Sequence, residues 1–92
     1  MDSIMQEEKC CYVCGTTQNI HLHHIYFGKN HKISDQYGFT VYLCGKHHNQ
    51  SNQGVHCGNK MLDLMLKKHC QMVFEESHGH EAFMALIGKN YL

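Results

Sequence analysis

Apolar and polar positions alternate in short blocks up to about residue 60, after which the apolar residues fall into a helical rhythm. Residues 20–27, IHLHHIYF, set Ile20 and Leu22 against His21 and His23 before running apolar. That period of two predicts a strand with its exit near His24. Residues 39–43, FTVYL, are β-branched and aromatic and predict a second strand. Between them, residues 28–38, GKNHKISDQYG, are polar and glycine-bounded, which predicts a loop. Residues 44–59 predict a short helix or turn opening into a loop. Over 60–77, Leu62, Met65, Leu66, His69, Met72 and Val73 recur at three-four spacing, the clearest helix in the chain, with Gly79 as its stop. Residues 80–87, HEAFMALI, predict a second short helix with Phe83, Leu86 and Ile87 inward and Gly88 at its end. The fold class expected is α+β: a β-hairpin with C-terminal helices. No repeat, proline or low-complexity linker divides it.

Composition narrows this picture. A chain of 92 residues is one domain's worth. A polar, frayed start over 1–9 precedes a single domain over 10–92, with the hairpin and its candidate sites in 10–59 and packing helices in 60–92. So short a chain buries a limited apolar core and calls for a staple. Six Cys and ten His can supply one. The first nine residues, MDSIMQEEK, have no apolar core of a signal sequence, and no apolar run reaches the length of a membrane span. The expectation is an intracellular protein without membrane attachment, whose reduced thiols pair around metal rather than with each other. Net charge is zero with His neutral, and all eight basic residues are Lys. That balance opposes a high-affinity, sequence-specific DNA reader but not an enzyme that meets DNA briefly. A bound divalent ion would add positive charge where a phosphate sits.

Cys11-x-x-Cys14 and Cys44-x-x-His47 are two chelating pairs separated by 29 residues. Structural zinc takes four N or S ligands in a tetrahedron. Two ligands at this spacing bend the chain around the ion, and two such pairs close the shell. The first pair precedes one strand and the second follows the other, so Zn²⁺ would clamp the ends of the hairpin. Binding energy of this kind becomes folding energy. Cys10 rivals Cys11, although the spacing favours Cys11. Cys57 and Cys70 have no paired spacing, and Cys70 reads as a small core residue. His47 could instead serve a second metal.

His23-His24, His47-His48 and His56 make a second constellation. Phosphodiester hydrolysis needs an activated water, stabilised charge on the phosphate and help for the leaving oxygen. A divalent ion can supply the last two and a neutral His the first. Adjacent residues on a strand point to opposite sides, so one His of a pair can turn to metal and the other to water. His31, His69, His78 and His80 read as solvated or structural, and His21 as packing beside His23.

Cys-x-x-Cys-Gly, Leu-His-His-Ile and Leu-Cys-x-x-His-His-Asn together resemble the HNH endonuclease family, whose fold is the ββα-metal (His-Me) finger. More narrowly, Tyr37-Gly38-Phe39, Gly54-Val55-His56 and the tail Gly88 to Leu92 are similar to small HNH-type proteins of bacteriophages and prophages. The resemblance runs from about residue 10 to the C-terminus. It implies that His23 binds the catalytic ion, that His24 is the general base, and that His48 is a further metal ligand. Many family members carry another His four residues on, where this chain has Asn52; His56 is the substitute candidate. Asn30 is the candidate for the family's middle Asn. The resemblance implies a metal-dependent endonuclease acting on DNA, holding structural Zn²⁺ and a catalytic Mg²⁺ or Mn²⁺, with Ni²⁺ or Zn²⁺ as alternatives. If phage-encoded, it works in the bacterial host cytoplasm, as a monomer or a homodimer. Lys29, Lys32 and Lys46 could contact flanking phosphates. The rival reading is a non-catalytic zinc-binding module docking on DNA or a protein partner. A second metal site beside His23-His24 separates the two.

Overall fold

A computed structural model describes residues 2–92; Met1, the start of the polar segment, lies outside the described residues. Strands β1 (Ile20–His24) and β2 (Thr40–Cys44) pair antiparallel, with Ile20 opposite Cys44 and His24 opposite Thr40. Residues directly opposite share a face. His21 and His23 therefore lie with Leu43 and Val41, while Leu22 lies with Tyr42 on the other face. The period of two does form a strand, but its sense is reversed from a simple apolar-inward rule. His23 is buried and Leu22 is exposed.

The stretch 28–38 is not a loop. A 3-10 turn at Gly28–Asn30 leads into α1 (His31–Tyr37). Its apolar signal is slight, because Ser34 is its one buried residue, with Ile33 and Tyr37 half-buried against the core. Ser34 does the work of a strand partner where β1 has ended. Its hydroxyl donates to the Tyr26 carbonyl at 2.7 Å and accepts from the Tyr26 amide at 3.1 Å. Gly38 closes the helix with φ of 73°, a left-handed conformation that suits glycine. A side chain there would also collide with the backbone of Asp2.

The described part of the N-terminal segment, from Asp2 on, is not frayed. β2 has an outer edge whose polar groups would otherwise be open to pairing by another chain. Ser3 Oγ donates to the Thr40 carbonyl, Gln6 Oε1 accepts from the Tyr42 amide at 2.7 Å, and the Tyr12 amide donates to the Tyr42 carbonyl at 2.8 Å. The N-terminal segment is thus the cover of that edge.

A four-residue helix, α2 (Gly45–His48), follows β2 directly. The chain then loops back, pairing the Val55 amide with the His47 carbonyl and the His56 amide with the His48 carbonyl, both at 3.0 Å. Helix α3 (Lys60–His78) starts at Asn59, whose side chain accepts from the Leu62 amide at 3.1 Å. Its buried face is Leu62, Leu66, Cys70, Gln71 and Phe74. The expected face drifts off after the second turn, since His69, Met72 and Val73 are exposed. Gln71 is what the apolar pattern hid: it is buried because its amide serves Glu75, Asn90 and the Tyr91 amide. Helix α4 (His80–Ile87) buries Phe83 and Ile87 and leaves Leu86 half-buried. Phe39, Phe74, Phe83 and Tyr26 meet edge-on or tilted in the centre of the core. Among the described residues no helix is long and apolar enough to cross a membrane.

Candidate metal centres

The turn after residue 10 and the end of β2 bring Cys11, Cys14, Cys44 and His47 together, with one ligand atom from each within 4.8 Å of the others. The register explains the convergence. Cys44 ends β2 opposite Ile20, α2 places His47 three residues later, and the Tyr12–Tyr42 hydrogen bond ties the first pair alongside. Zn–S bonds of about 2.3 Å and Zn–N bonds of about 2.0–2.1 Å in a tetrahedron put sulfurs about 3.8 Å apart and S–N pairs about 3.6 Å apart. Cys14 and Cys44 sulfurs are 3.8 Å apart, and His47 Nδ1 lies 3.2 Å from Cys44 Sγ and 3.8 Å from Cys11 Sγ. The group therefore fits zinc, and it is a Cys₃His set that includes Cys11 and not Cys10.

Burial alone would raise the Cys11 thiol, but backbone amides of Cys44, Cys14 and Val13 and a hydrogen bond with Cys14 outweigh it and bring it down to about 6. A thiolate is the ligand form, so this side chain is ready for a metal at neutral pH. Cys44 is raised by its burial, against the pull of the His47 amide.

His23, His48 and His56 form a second group, again with ligand atoms within 4.8 Å of one another. The ring centroids are 5.3 Å apart for His23–His48, 5.1 Å for His23–His56 and 4.8 Å for His48–His56. The group runs from buried His23 through half-buried His48 to exposed His56, so it opens to solvent on one side. The return of the chain at Val55–His56 makes this possible. Gly54 is needed there, because a side chain would press on the His48 carbonyl. His23 is 1% exposed, and its Nε2 has no hydrogen-bond partner among the described residues. A bare buried ring nitrogen costs folding energy unless something binds it. Burial, then the neighbouring His56, His48, His24 and Lys67, push its pKa down to about 3. His48 falls to about 4, first through burial and then through His56 and His21. Both rings are neutral at pH 7, the form that binds metal.

His24 lies outside this trio. Its Nε2 is 3.1 Å from Asp35 Oδ1, and its ring stacks on His31 with centroids 3.9 Å apart. Asp35 is held below the usual carboxylate range, chiefly by that hydrogen bond. Because a carboxylate accepts only, His24 donates from Nε2, and in a neutral ring Nδ1 is then the nitrogen with the free lone pair. Asn30 is directed elsewhere, its side chain donating to the Ile87 carbonyl at 3.3 Å. Asn52 is exposed. Lys29, Lys32 and Lys46 are exposed.

Several residues beside the trio gave no sequence signal. Lys67 reaches in from α3, paired with Asp63 at 2.9 Å and lying 4.4 Å over the ring of Phe27, which contacts His56 in turn. Asp35 gave none because α1, which carries it to His24, has no apolar pattern; His21 shares the face of His23 as expected, but its bonds to Asn19 and His48 rest on a turn and a helix from elsewhere in the chain. Cys70 is inert: burial raises its thiol to about 12. Comparison with protein-family models, with curated proteins and with solved structures finds no match to this chain.

Proposed function

We propose that this protein is a metal-dependent endonuclease of the HNH, ββα-metal type, hydrolysing DNA phosphodiester bonds. The observation that carries the reading is the trio His23–His48–His56, open to solvent and set against a Cys₃His group that fits structural zinc. A purely structural zinc module has no use for the trio or for the unpartnered Nε2 of His23. Three imidazoles suit Ni²⁺ or Zn²⁺ better than Mg²⁺, which prefers oxygen ligands; Mn²⁺ lies between. When bound, such an ion supplies charge stabilisation at the phosphate and at the leaving oxygen.

The chain's own residues do the rest. His23, His48 and His56 hold the ion. His24, next to His23 but on the opposite side of β1, takes the proton from the attacking water at Nδ1. Asp35 fixes its ring and tautomer, as a carboxylate does for a catalytic imidazole. The helix α3 closes the site from behind with Phe27 and Lys67 between.

The experiment is incubation of purified protein with supercoiled plasmid, with EDTA and with added Mn²⁺, Ni²⁺ or Zn²⁺. Metal-dependent nicking is the expected result. Absence of nicking with every ion, or equal nicking by His48→Ala, sinks the assignment.

A further inference from the structure

We propose that Asn19 and His21 form a relay that fixes the tautomer of His48 and so presents its Nε2 lone pair to the three-histidine group; the use of that lone pair rests on the metal reading above. The relay begins at a backbone feature. Asn19 has φ of 52°, the one non-glycine residue with a positive φ among the described residues, and asparagine tolerates that region better than most. The turn swings its side chain between two partners. Its Nδ2 donates to Gln50 Oε1 at 2.7 Å, which leaves Oδ1 facing His21 Nε2 at 3.1 Å. Oδ1 can only accept, so His21 carries its proton on Nε2. A neutral imidazole has one proton, and Nδ1 of His21 is then an acceptor. It lies 2.9 Å from Nδ1 of His48. His48 must therefore donate from Nδ1, and its Nε2 is left bare.

The consequence is chemical as well as geometric. Metal-bound imidazoles are commonly oriented, and made better donors, by a hydrogen bond from the ring N–H to an outer partner. His21 meets His48 edge-on, with centroids 5.1 Å apart and planes at 84°. β1 thus serves the trio twice from one face: His23 as a member and, two residues earlier, His21 as the support of another. His21 is a positioning residue, and Asn19 sets its proton.

The test uses ¹⁵N-labelled protein carrying zinc in the Cys₃His site and nothing in the trio. Long-range ¹H–¹⁵N correlation spectra at pH 8 report which His48 nitrogen is protonated. The expected result is a proton on Nδ1 in wild type. It should persist in Asn19→Asp, which keeps an acceptor, and be lost in Asn19→Gly, which removes it while suiting the positive φ. Co²⁺ titrated onto the same one-zinc proteins should bind about 10- to 100-fold more weakly to Asn19→Gly and His21→Phe than to wild type. Asn19→Asp should restore most of the affinity. A wild-type His48 with its proton on Nε2, or an unchanged pattern in Asn19→Gly, overturns the relay; if a removal variant fails to fold, the wild-type spectrum alone decides. A relay present in a protein that takes up no Co²⁺ supports the tautomer assignment and overturns the metal reading instead.

Discussion

Replacing His23 with Leu should make the protein more stable when the trio is empty and less stable when it is loaded. His23 is 1% exposed and its Nε2 is unpartnered among the described residues. A buried polar atom without a hydrogen bond costs about 1–3 kcal/mol. An apolar replacement of similar size recovers that cost, less a packing mismatch that is usually below about 1.5 kcal/mol. The net expectation for His23→Leu is a gain of about 1 kcal/mol, or a rise in Tm of about 4–8 °C for a domain of this size. The order reverses with a divalent ion present at a hundred times its Kd. Wild type then gains about 2.7 kcal/mol from binding, and the variant gains nothing. Acid supplies an independent check of sign. The folded pKa of His23, about 3, lies below its ordinary value of 6.5, so the unfolded chain binds the extra proton. Stability from the neutral ring is complete above pH 6.5 and is lost as pH falls towards 3. Between pH 7.5 and 5.5 wild type should lose about 1 kcal/mol more than the variant does. The loss of thiolate ligands at the zinc group is common to both and cancels in the difference. The assay is urea denaturation followed by circular dichroism on one-zinc protein, with and without Ni²⁺, at both pH values. If His23→Leu is less stable by more than 1 kcal/mol without the ion, the idea that folding energy is withheld at this site for binding is wrong.

Other consequences are simpler to read. Cys44→Ser should leave the chain largely unfolded even with zinc present, because structural zinc contributes about 10–16 kcal/mol in small domains, as much as a whole domain's stability of about 5–15 kcal/mol; a cooperative, native-like melt of this variant contradicts the staple. His24→Ala should lower plasmid nicking about 10²- to 10⁴-fold while leaving Ni²⁺ affinity within a factor of a few, since its ring lies outside the trio. Phe83→Ala removes a fully buried ring that touches Tyr26, Phe39 and Phe74, and should cost about 3–5 kcal/mol by the same denaturation assay.

Much of the frame was legible in the residues because each signal is local. The Cys-x-x-Cys and Cys-x-x-His spacings name their own ligands, the two strands announce themselves by alternation and β-branching, and α3 and α4 by their three-four rhythm. What escaped depends on contacts distant in sequence. Helix α1 buries so little that its pattern reads as a polar loop, and its purpose, the clamp of Ser34 on Tyr26, is a side-chain act. The buried face of α3 turns towards Cys70 and Gln71, and no rule of apolar spacing anticipates a glutamine inside a core. The polarity of the N-terminal segment reads as a frayed end, though polar side chains are what an open strand edge needs. Around the site, His23, His48 and His56 were nameable. Asn19, Asp35, Lys67 and the part His21 plays beyond its place beside His23 were not, because each acts through a neighbour supplied by another element.

The most direct test follows nicking and metal occupancy together. Zinc-loaded protein with an empty trio is titrated with Mn²⁺ or Ni²⁺ while plasmid nicking and ion uptake are measured on the same samples. Activity should rise in step with one further ion per chain in wild type, and His24→Ala should take up that ion with the same affinity and nick little. Nicking that is complete before the second ion binds, or that is undiminished in His24→Ala, contradicts this assignment.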